Sequence, residues 1–139
     1  MLVFRFWKYE KVEGIAADPV VLTMLYEERR TAMFTRCDER NYREMLPGVE
    51  LKTLTHGEAM LLGEFRLKKG AVIPSHSHPH EQIGYLVSGR LRFNSEGETY
   101  EAGPGDGWCF TGNCEHGVEV LEDSLVVEVF SPVREDYLP

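Results

Sequence analysis

The amino-acid sequence predicts an all-β fold, a single small barrel, for the part of the chain that follows about residue 40. Short runs rich in β-branched and aromatic residues recur from Pro47 onward: VELKTLT, MLLGEFRL, IGYLV, RLRF, WCF, GVEVLE and SLVVEVF. Turn-forming residues separate these runs, and no helical hydrophobic period lies between them. Many short strands at this spacing are typical of a β-sandwich or a β-barrel.

The first 40 residues have a different texture. Asp18-Pro19 has the residue types of a helix N-cap and first helical position. The stretch that follows, VVLTMLYEERRTAMF, fits a helix, although VVLTMLY also suits a strand. Met33 is an alternative start, which would make the preceding residues an upstream addition. We therefore expect an N-terminal extension over residues 1–40, part helix or strand, and a barrel domain over residues 41–139.

Within the barrel domain, clusters of turn-forming residues mark where we expect the strands to end. Glycine supplies the backbone conformations that tight turns need, and asparagine and serine favour turns through local hydrogen bonds. The predicted turns are Lys69-Gly70, Ser88-Gly89, Asn94-Ser95-Glu96-Gly97 and Gly103-Pro104-Gly105.

Composition excludes several classes of function. A net charge of −8 over 139 residues argues against nucleic-acid or anionic-membrane partners, which require basic patches. No apolar run is long enough for a transmembrane span, and MLVFRFWKYEKVEG is interrupted by charge too early for a secretory signal. Three cysteines are an odd number and too few for a disulfide scaffold, so we expect reduced thiols and a cytoplasmic location.

The stretch GAVIPSHSHPHEQIGYLVSG predicts a metal site. In an extended segment, alternate side chains share one face, so His76, His78, His80 and Gln82 can point inward together. Several buried imidazoles would otherwise each need a separate hydrogen-bonding partner. One divalent transition metal satisfies them together, and imidazole is a common ligand of such metals.

At this point the chain resembles the cupin superfamily, over roughly residues 46–138. The first cupin motif has a glycine, HxH, an acid and a second glycine at fixed spacing, and here those places hold Gly70, His76, His78, Gln82 and Gly89. The second motif supplies another histidine, and GDGWCFTGNCEHGVEV places His116 there. Three residues depart from the family pattern: Gln82 for glutamate, Thr111 for proline and Val120 for asparagine. The resemblance implies a double-stranded β-helix, the jelly-roll barrel of cupins, with the metal inside.

We therefore expect the metal ligands to be His76, His78, His116 and Gln82, the last through its amide oxygen. The metal would be Zn, Ni, Mn or Fe. His80 is the competing ligand, but Pro79 is expected to redirect the chain, and the family spacing favours Gln82.

Two further residues near the motifs are weaker ligand candidates. Glu81 could coordinate only if the strand register differed by one residue, since in a strand it faces away from Gln82. Cys114 could be a soft ligand but is expected to be a buried thiol.

The amide ligand carries chemical information about the site. Three neutral imidazoles and a carboxylate leave a divalent metal with a net charge of +1, whereas three imidazoles and an amide leave +2. The more positive site holds an anion better and polarises a bound oxygen more strongly. This balance favours polarising a carbonyl, hydroxyl or carboxylate over redox chemistry.

A second group of candidate residues lies in LVVEVFSPVREDYL. Alternation places Glu128 and Phe130 on one strand face, and Arg134 follows Pro132. An outward glutamate in a structural pair with an arginine is the alternative. HPHEQIGY followed by FSPVREDYL is similar to small pectin-degradation cupins, which convert unsaturated monouronates to linear keto forms. The resemblance implies that Glu128, Phe130 and Arg134 act on the sugar, although the acid of that family is usually aspartate.

The interpretation we favour is a mononuclear metal-dependent enzyme acting on a small anionic sugar-like or keto/enol substrate. Glu128 would move a proton, Arg134 would hold a carboxylate and Phe130 would shape the pocket. The alternatives are a metal-dependent dioxygenase and a non-catalytic binding or sensing cupin. Since cupins often pair through their sheets, we also expect a homodimer.

Overall fold

Eight strands and one short 3-10 helix make up the described part of the chain. The computed structural model describes residues 41–139, so the predicted N-terminal extension lies outside the described residues. The elements are β1 (Arg43–Leu46), β2 (Val49–His56), β3 (Leu61–Leu67), β4 (Val72–His76), β5 (Glu81–Ser95), β6 (Glu98–Ala102), β7 (Gly107–Phe110), β8 (His116–Ser131) and the 3-10 helix Glu135–Tyr137. The all-β prediction is confirmed. Residues 41–139 contain no helix with the length and apolar character needed to cross a membrane.

Two long strands, β5 and β8, organise the barrel. β5 has 15 residues and β8 has 16, and they pair antiparallel along most of their lengths. The strand order is β1-β2-β3-β8-β5-β6, with β4 added on β8 and β7 added on β5. β8 therefore pairs with β3 through its second half and with β4 through its first. Both long strands thus contribute to both ends of the barrel.

The turn predicted at Ser88-Gly89 is wrong, because β5 continues through it. Gly89 has φ = +96°, and the β5–β8 register shifts between Leu86 and Leu91. An added Cβ at Gly89 would lie 2.1 Å from Ser124 Oγ. The glycine therefore forms an irregularity that bends one continuous strand. The sequence had instead suggested two strands separated by a turn. GVEVLE and SLVVEVF are likewise one strand, β8.

The core follows from strict alternation of buried side chains. In β3 every second residue is buried, and the second half of β8 shows the same pattern. Inward side chains of neighbouring strands then form one apolar cluster, as expected when one face of each strand is turned to the interior. The cluster contains Val49, Leu51, Leu61, Phe65, Leu67, Ala71, Leu86, Leu91, Phe93, Ala102, Phe110, Val118, Val120, Val126 and Phe130.

Candidate metal centre and active site

Three histidines from three chain segments converge inside the barrel. His76 ends β4 and His116 begins β8, and the two residues are directly paired across these strands. His78 belongs to the connection between β4 and β5, so the HSHPH stretch is not one continuous strand. One potential ligand atom from each of His76, His78 and His116 lies within 4.8 Å of the other two. The structure thus groups three of the four predicted ligands by their ring nitrogens.

Backbone carbonyls orient all three imidazoles. Nδ1 of each ring lies at hydrogen-bonding distance from a carbonyl oxygen: His76 to Pro74 (2.9 Å), His78 to His80 (3.1 Å) and His116 to Cys114 (2.9 Å). A carbonyl oxygen only accepts, so Nδ1 carries the hydrogen in each ring. In the neutral rings the Nε2 lone pair is then free. This arrangement is the one that metal-binding histidines adopt.

Burial keeps two of these rings neutral. Desolvation lowers the pKa of His78 below its usual value, and the positive charge of Arg134 lowers it further. Desolvation also lowers the pKa of His116, against a smaller opposite effect of its bond to the Cys114 carbonyl. A neutral imidazole is the form that binds a metal ion, so both shifts favour coordination.

Gln82 adds a fourth donor atom to the three imidazoles, and the resulting set of donors fits a cation. Gln82 is buried at the start of β5, and its Nε2 donates to Glu128 Oε1 over 2.6 Å, which turns its Oε1 toward the histidines. That Oε1 lies 3.0 Å from Nε2 of His78. With His78 neutral and its hydrogen on Nδ1, two lone-pair atoms face each other. A cation between them satisfies both, which is the chemistry of a three-imidazole, one-amide metal site.

The competing ligand candidates lie apart from this cluster. His80 is not part of the group formed by the ring nitrogens of His76, His78 and His116, and its buried Nδ1 has no hydrogen-bond partner within the described residues. Glu81 is exposed on the outer face of β5. The Sγ of Cys114 lies 3.4 Å from Ser95 Oγ, and this thiol is not part of the histidine group.

Glu128 faces the interior beside the histidine cluster. Its side chain is only 8% exposed, and its Oε1 accepts hydrogen bonds from Gln82 Nε2 and from Trp108 Nε1, the latter over 3.3 Å. Burial raises the pKa of Glu128 to about 7, against smaller opposite effects of these donors and of Arg134. A carboxyl with a pKa near neutrality can both hold and release a proton at physiological pH. The outward orientation considered as an alternative does not occur.

The segment after β8 brings a cation to the same cavity. Arg134 stacks on Tyr137, with its guanidinium carbon 3.9 Å from the ring centroid, and lies 5.5 Å from the ring of Phe130. Its Nε and Nη2 donate to the two carboxylate oxygens of Asp136, over 3.2 and 2.7 Å. The structural partner of Arg134 is therefore Asp136, and the hydrogen bonds of Glu128 are with Gln82 and Trp108 instead.

The 3-10 segment is itself fastened to the start of the barrel. Arg43 in β1 donates to the carbonyl oxygens of Asp136 (2.8 Å) and Leu138 (3.2 Å), and the Thr53 hydroxyl donates to the carbonyl of Tyr137. The Tyr137 ring packs edge-on against Phe130 with centroids 5.3 Å apart. These contacts hold Arg134 over the cavity.

The resulting cavity is small and of mixed character. It has a volume of about 60 Å³, and its polar lining consists of His76, His116, Gln82, Glu128, Arg134, Trp108 and Tyr137. The remaining lining residues are apolar members of the core or pack against it. Sequence analysis did not identify Trp108 as a functional residue. In the sequence it is only an aromatic residue in the short predicted strand WCF.

Comparison with known proteins agrees with this geometry. Residues 63–132 match the family described as Cupin domain. The chain belongs to the cupin family. This cupin is 33% identical over 103 residues to the pectin degradation protein KdgF of Dickeya dadantii, covering 73% of this chain and 94% of that protein.

Solved structures give the same assignment. KdgF from a Halomonas species superposes on this cupin with a TM-score of 0.72 at 36% identity, covering 76% of this chain and 99% of that chain. An RmlC-like cupin from Shewanella frigidimarina also has a TM-score of 0.72, at 24% identity, and covers 76% of this chain and 95% of its own. The second likeness shows the fold alone, whereas the first agrees with the resemblance to small pectin-degradation cupins noted in the sequence.

Proposed function

We propose that this cupin is a metal-dependent enzyme that isomerises a small unsaturated uronate, the ring form being converted to a linear keto form. The observation that carries the proposal is a group of three imidazoles, two of which line one cavity together with an amide, a buried carboxyl and a guanidinium. The similarity to two KdgF proteins, one of them described as a pectin degradation protein, supports uronates as the substrate class.

The reaction needs little more than controlled movement of a proton. When the ring of an unsaturated uronate opens, the anomeric hydroxyl loses its proton, the bond between the anomeric carbon and the ring oxygen breaks, and an aldehyde forms. The ring oxygen leaves as an enolate, which gains a proton at carbon to become a ketone. Glu128 is the group in the cavity that can accept or deliver this proton, because its carboxyl is buried and its Oε2 makes no bond within the described chain. A bound divalent metal would supply positive charge that stabilises negative charge on the substrate oxygens.

Arg134 is suited to hold the substrate carboxylate. The pair with Asp136 uses Nε and Nη2, which leaves Nη1 for a substrate oxygen. Stacking on Tyr137 fixes the plane of the guanidinium, and Phe130 closes the cavity beneath it. An anion can therefore bind here although the protein carries a net charge of −8.

The size of the cavity favours a small substrate. Pockets for drug-sized ligands occupy about 300–1,000 Å³, whereas the cavity here measures about 60 Å³. A cavity of this size takes only part of a monosaccharide, which favours a small substrate over a polymer.

The test is a metal-loaded assay of purified protein. Loss of the ultraviolet absorbance of an unsaturated monouronate should depend on added metal, and His116→Ala should abolish it. Glu128→Gln should mainly lower kcat, while Arg134→Ala should mainly raise KM. Oxygen uptake with an organic substrate would instead indicate a dioxygenase, and tight uronate binding without turnover would indicate a binding protein.

The homodimer and the cytoplasmic location stay predictions. The outer face of β5 offers the surface that a second copy would cover, since Ile83, Tyr85 and Val87 are 51%, 52% and 42% exposed at alternate positions. Sedimentation of wild type and Tyr85→Glu tests this pairing.

A further inference from the structure

Glu128 belongs to a row of three residues on neighbouring strands. Gly84 of β5 is paired with Glu128 of β8 on one side and with Trp108 of β7 on the other. The row runs across the inner wall of the barrel. Its middle position is the one without a side chain.

Gly84 leaves room for the indole of Trp108 to cross that position. A Cβ added at Gly84 would lie 2.1, 2.3 and 2.4 Å from indole atoms of Trp108. Such distances essentially never occur, so any side chain at residue 84 would force the indole away from the backbone of β5. The indole can therefore lie over Gly84 and direct its Nε1 toward Glu128.

The contact with Glu128 links Trp108 to the metal centre. Trp108 Nε1 donates to the same oxygen, Glu128 Oε1, that accepts from Gln82 Nε2. The bond from Gln82 selects which end of its amide faces the histidines. A carboxyl that could rotate freely would hold neither its own Oε2 nor the Gln82 amide in one orientation.

We propose that Trp108 is a positioning residue, seated over Gly84, which fixes the Glu128 carboxyl and through it the orientation of the Gln82 amide ligand. The polar contact of Trp108 is with Glu128, so Trp108 acts on the metal centre through Glu128. The inference rests on the metal centre of the proposed function. It adds a chain of contacts, Trp108 to Glu128 to Gln82, that sets how tightly and in what geometry the metal is held.

Packing is the competing explanation for Trp108. Its ring lies 4.6 Å from that of Phe93, centroid to centroid, so a large residue here fills space whatever its polar contact does. Trp108→Phe removes the N–H donor and keeps an aromatic ring. Phe93→Leu is the matched control, because it loosens the same packing without removing a hydrogen bond to Glu128.

The experiment measures Zn²⁺ affinity by competition with a chelator. Removing a group that bonds directly to a ligand typically costs about 10–100-fold in metal affinity, so Glu128→Ala should fall in that range. Trp108 acts one contact further away, and Trp108→Phe should cost about 3- to 10-fold. Phe93→Leu should lower the melting temperature and leave Zn²⁺ affinity within about 2-fold of wild type. Trp108→Phe added to Glu128→Ala should cause no further loss, because the acceptor is already gone.

A second readout does not need the metal. The indole N–H proton of Trp108, assigned by the peak that Trp108→Phe removes, should move upfield in Glu128→Ala because its acceptor is lost. Gly84→Ala should displace the same peak and weaken Zn²⁺ binding; if that variant does not fold, Trp108→Phe still decides.

The outcomes separate this inference from the proposed function. Wild-type affinity in Trp108→Phe, or an equal loss from Trp108→Phe with and without the Glu128 carboxyl, would overturn the positioning role while leaving the metal centre intact. If wild type binds none of Zn²⁺, Ni²⁺, Mn²⁺ and Fe²⁺, the proposed function fails, and the indole signal alone decides the contact between Trp108 and Glu128.

Discussion

The buried carboxyl of Glu128 should make the metal-free protein less stable as pH rises. Burial raises the pKa of Glu128 from 4.5 to about 7. Between these values the unfolded chain has released the proton and the folded protein still holds it. The folded state therefore binds more protons than the unfolded state, and the free energy of unfolding falls as pH rises through this interval.

The size of the effect follows from the same two values. A rise of about 2.5 in pKa, at about 1.36 kcal/mol for each pKa unit, corresponds to about 3 kcal/mol of stability lost by about pH 8. Because Glu128 is only 8% exposed, solvent screening reduces this little. Glu128→Gln cannot ionise, and it should gain up to about 3 kcal/mol relative to wild type between pH 4.5 and 8.

The assay is urea unfolding of chelator-treated protein at several pH values between about 5 and 8. His78 and His116, whose lowered pKa values stabilise the fold as pH rises, are present in both proteins and cancel in the comparison. Glu81→Gln, which removes a carboxylate from the exposed face of β5, controls for net charge. A difference between wild type and Glu128→Gln that stays constant from pH 5 to 8 would refute the reasoning.

Four other variants test the remaining groups. His116→Ala should lose bound metal while His80→Ala keeps it, and stoichiometric metal in His116→Ala by elemental analysis would contradict the ligand assignment. Arg134→Ala should weaken binding of an anionic substrate by about 1.5–3 kcal/mol with metal content unchanged; unchanged affinity in titration calorimetry would return Arg134 to a structural role. Gln82→Glu places a second carboxyl where Gln82 Nε2 now lies 2.6 Å from Glu128. The two carboxyls should share a proton, which Glu128 keeps when the new carboxylate faces the cation. The variant should therefore bind a divalent metal at least as tightly as wild type, and weaker binding in a chelator competition would count against this.

The sequence predicted the inner face of β8 because alternation is a local property. Glu128 and Phe130 are two residues apart, and a strand places them on the same side. The spacing of His76, His78 and His116 likewise predicted that these three histidines lie together, through the resemblance to cupins. The interpretation failed where the backbone departs from one regular strand: His78 lies in a connection, and Gly89 bends β5 without ending it.

Contacts between strands could not be read from the sequence at all. Trp108 reaches Glu128 only because the registers of β7 and β8 on β5 place both opposite Gly84. Register depends on how the whole barrel closes, and no local pattern specifies it. An ion pair of Arg134 with a nearby acid could have been predicted, since Glu135 and Asp136 follow it directly. Nothing in the sequence favoured Asp136 over Glu135 as the partner.

The placement of β8 also governs how the molecule can be made. This strand comes last among the eight and is the partner of β3, β4 and β5. While the ribosome is still adding it, those three earlier strands lack the neighbour that satisfies their backbone groups, and their apolar faces stay open to association with other chains. Folding of this barrel therefore awaits the synthesis of β8, and the interval before β8 emerges is when a chaperone would be needed most.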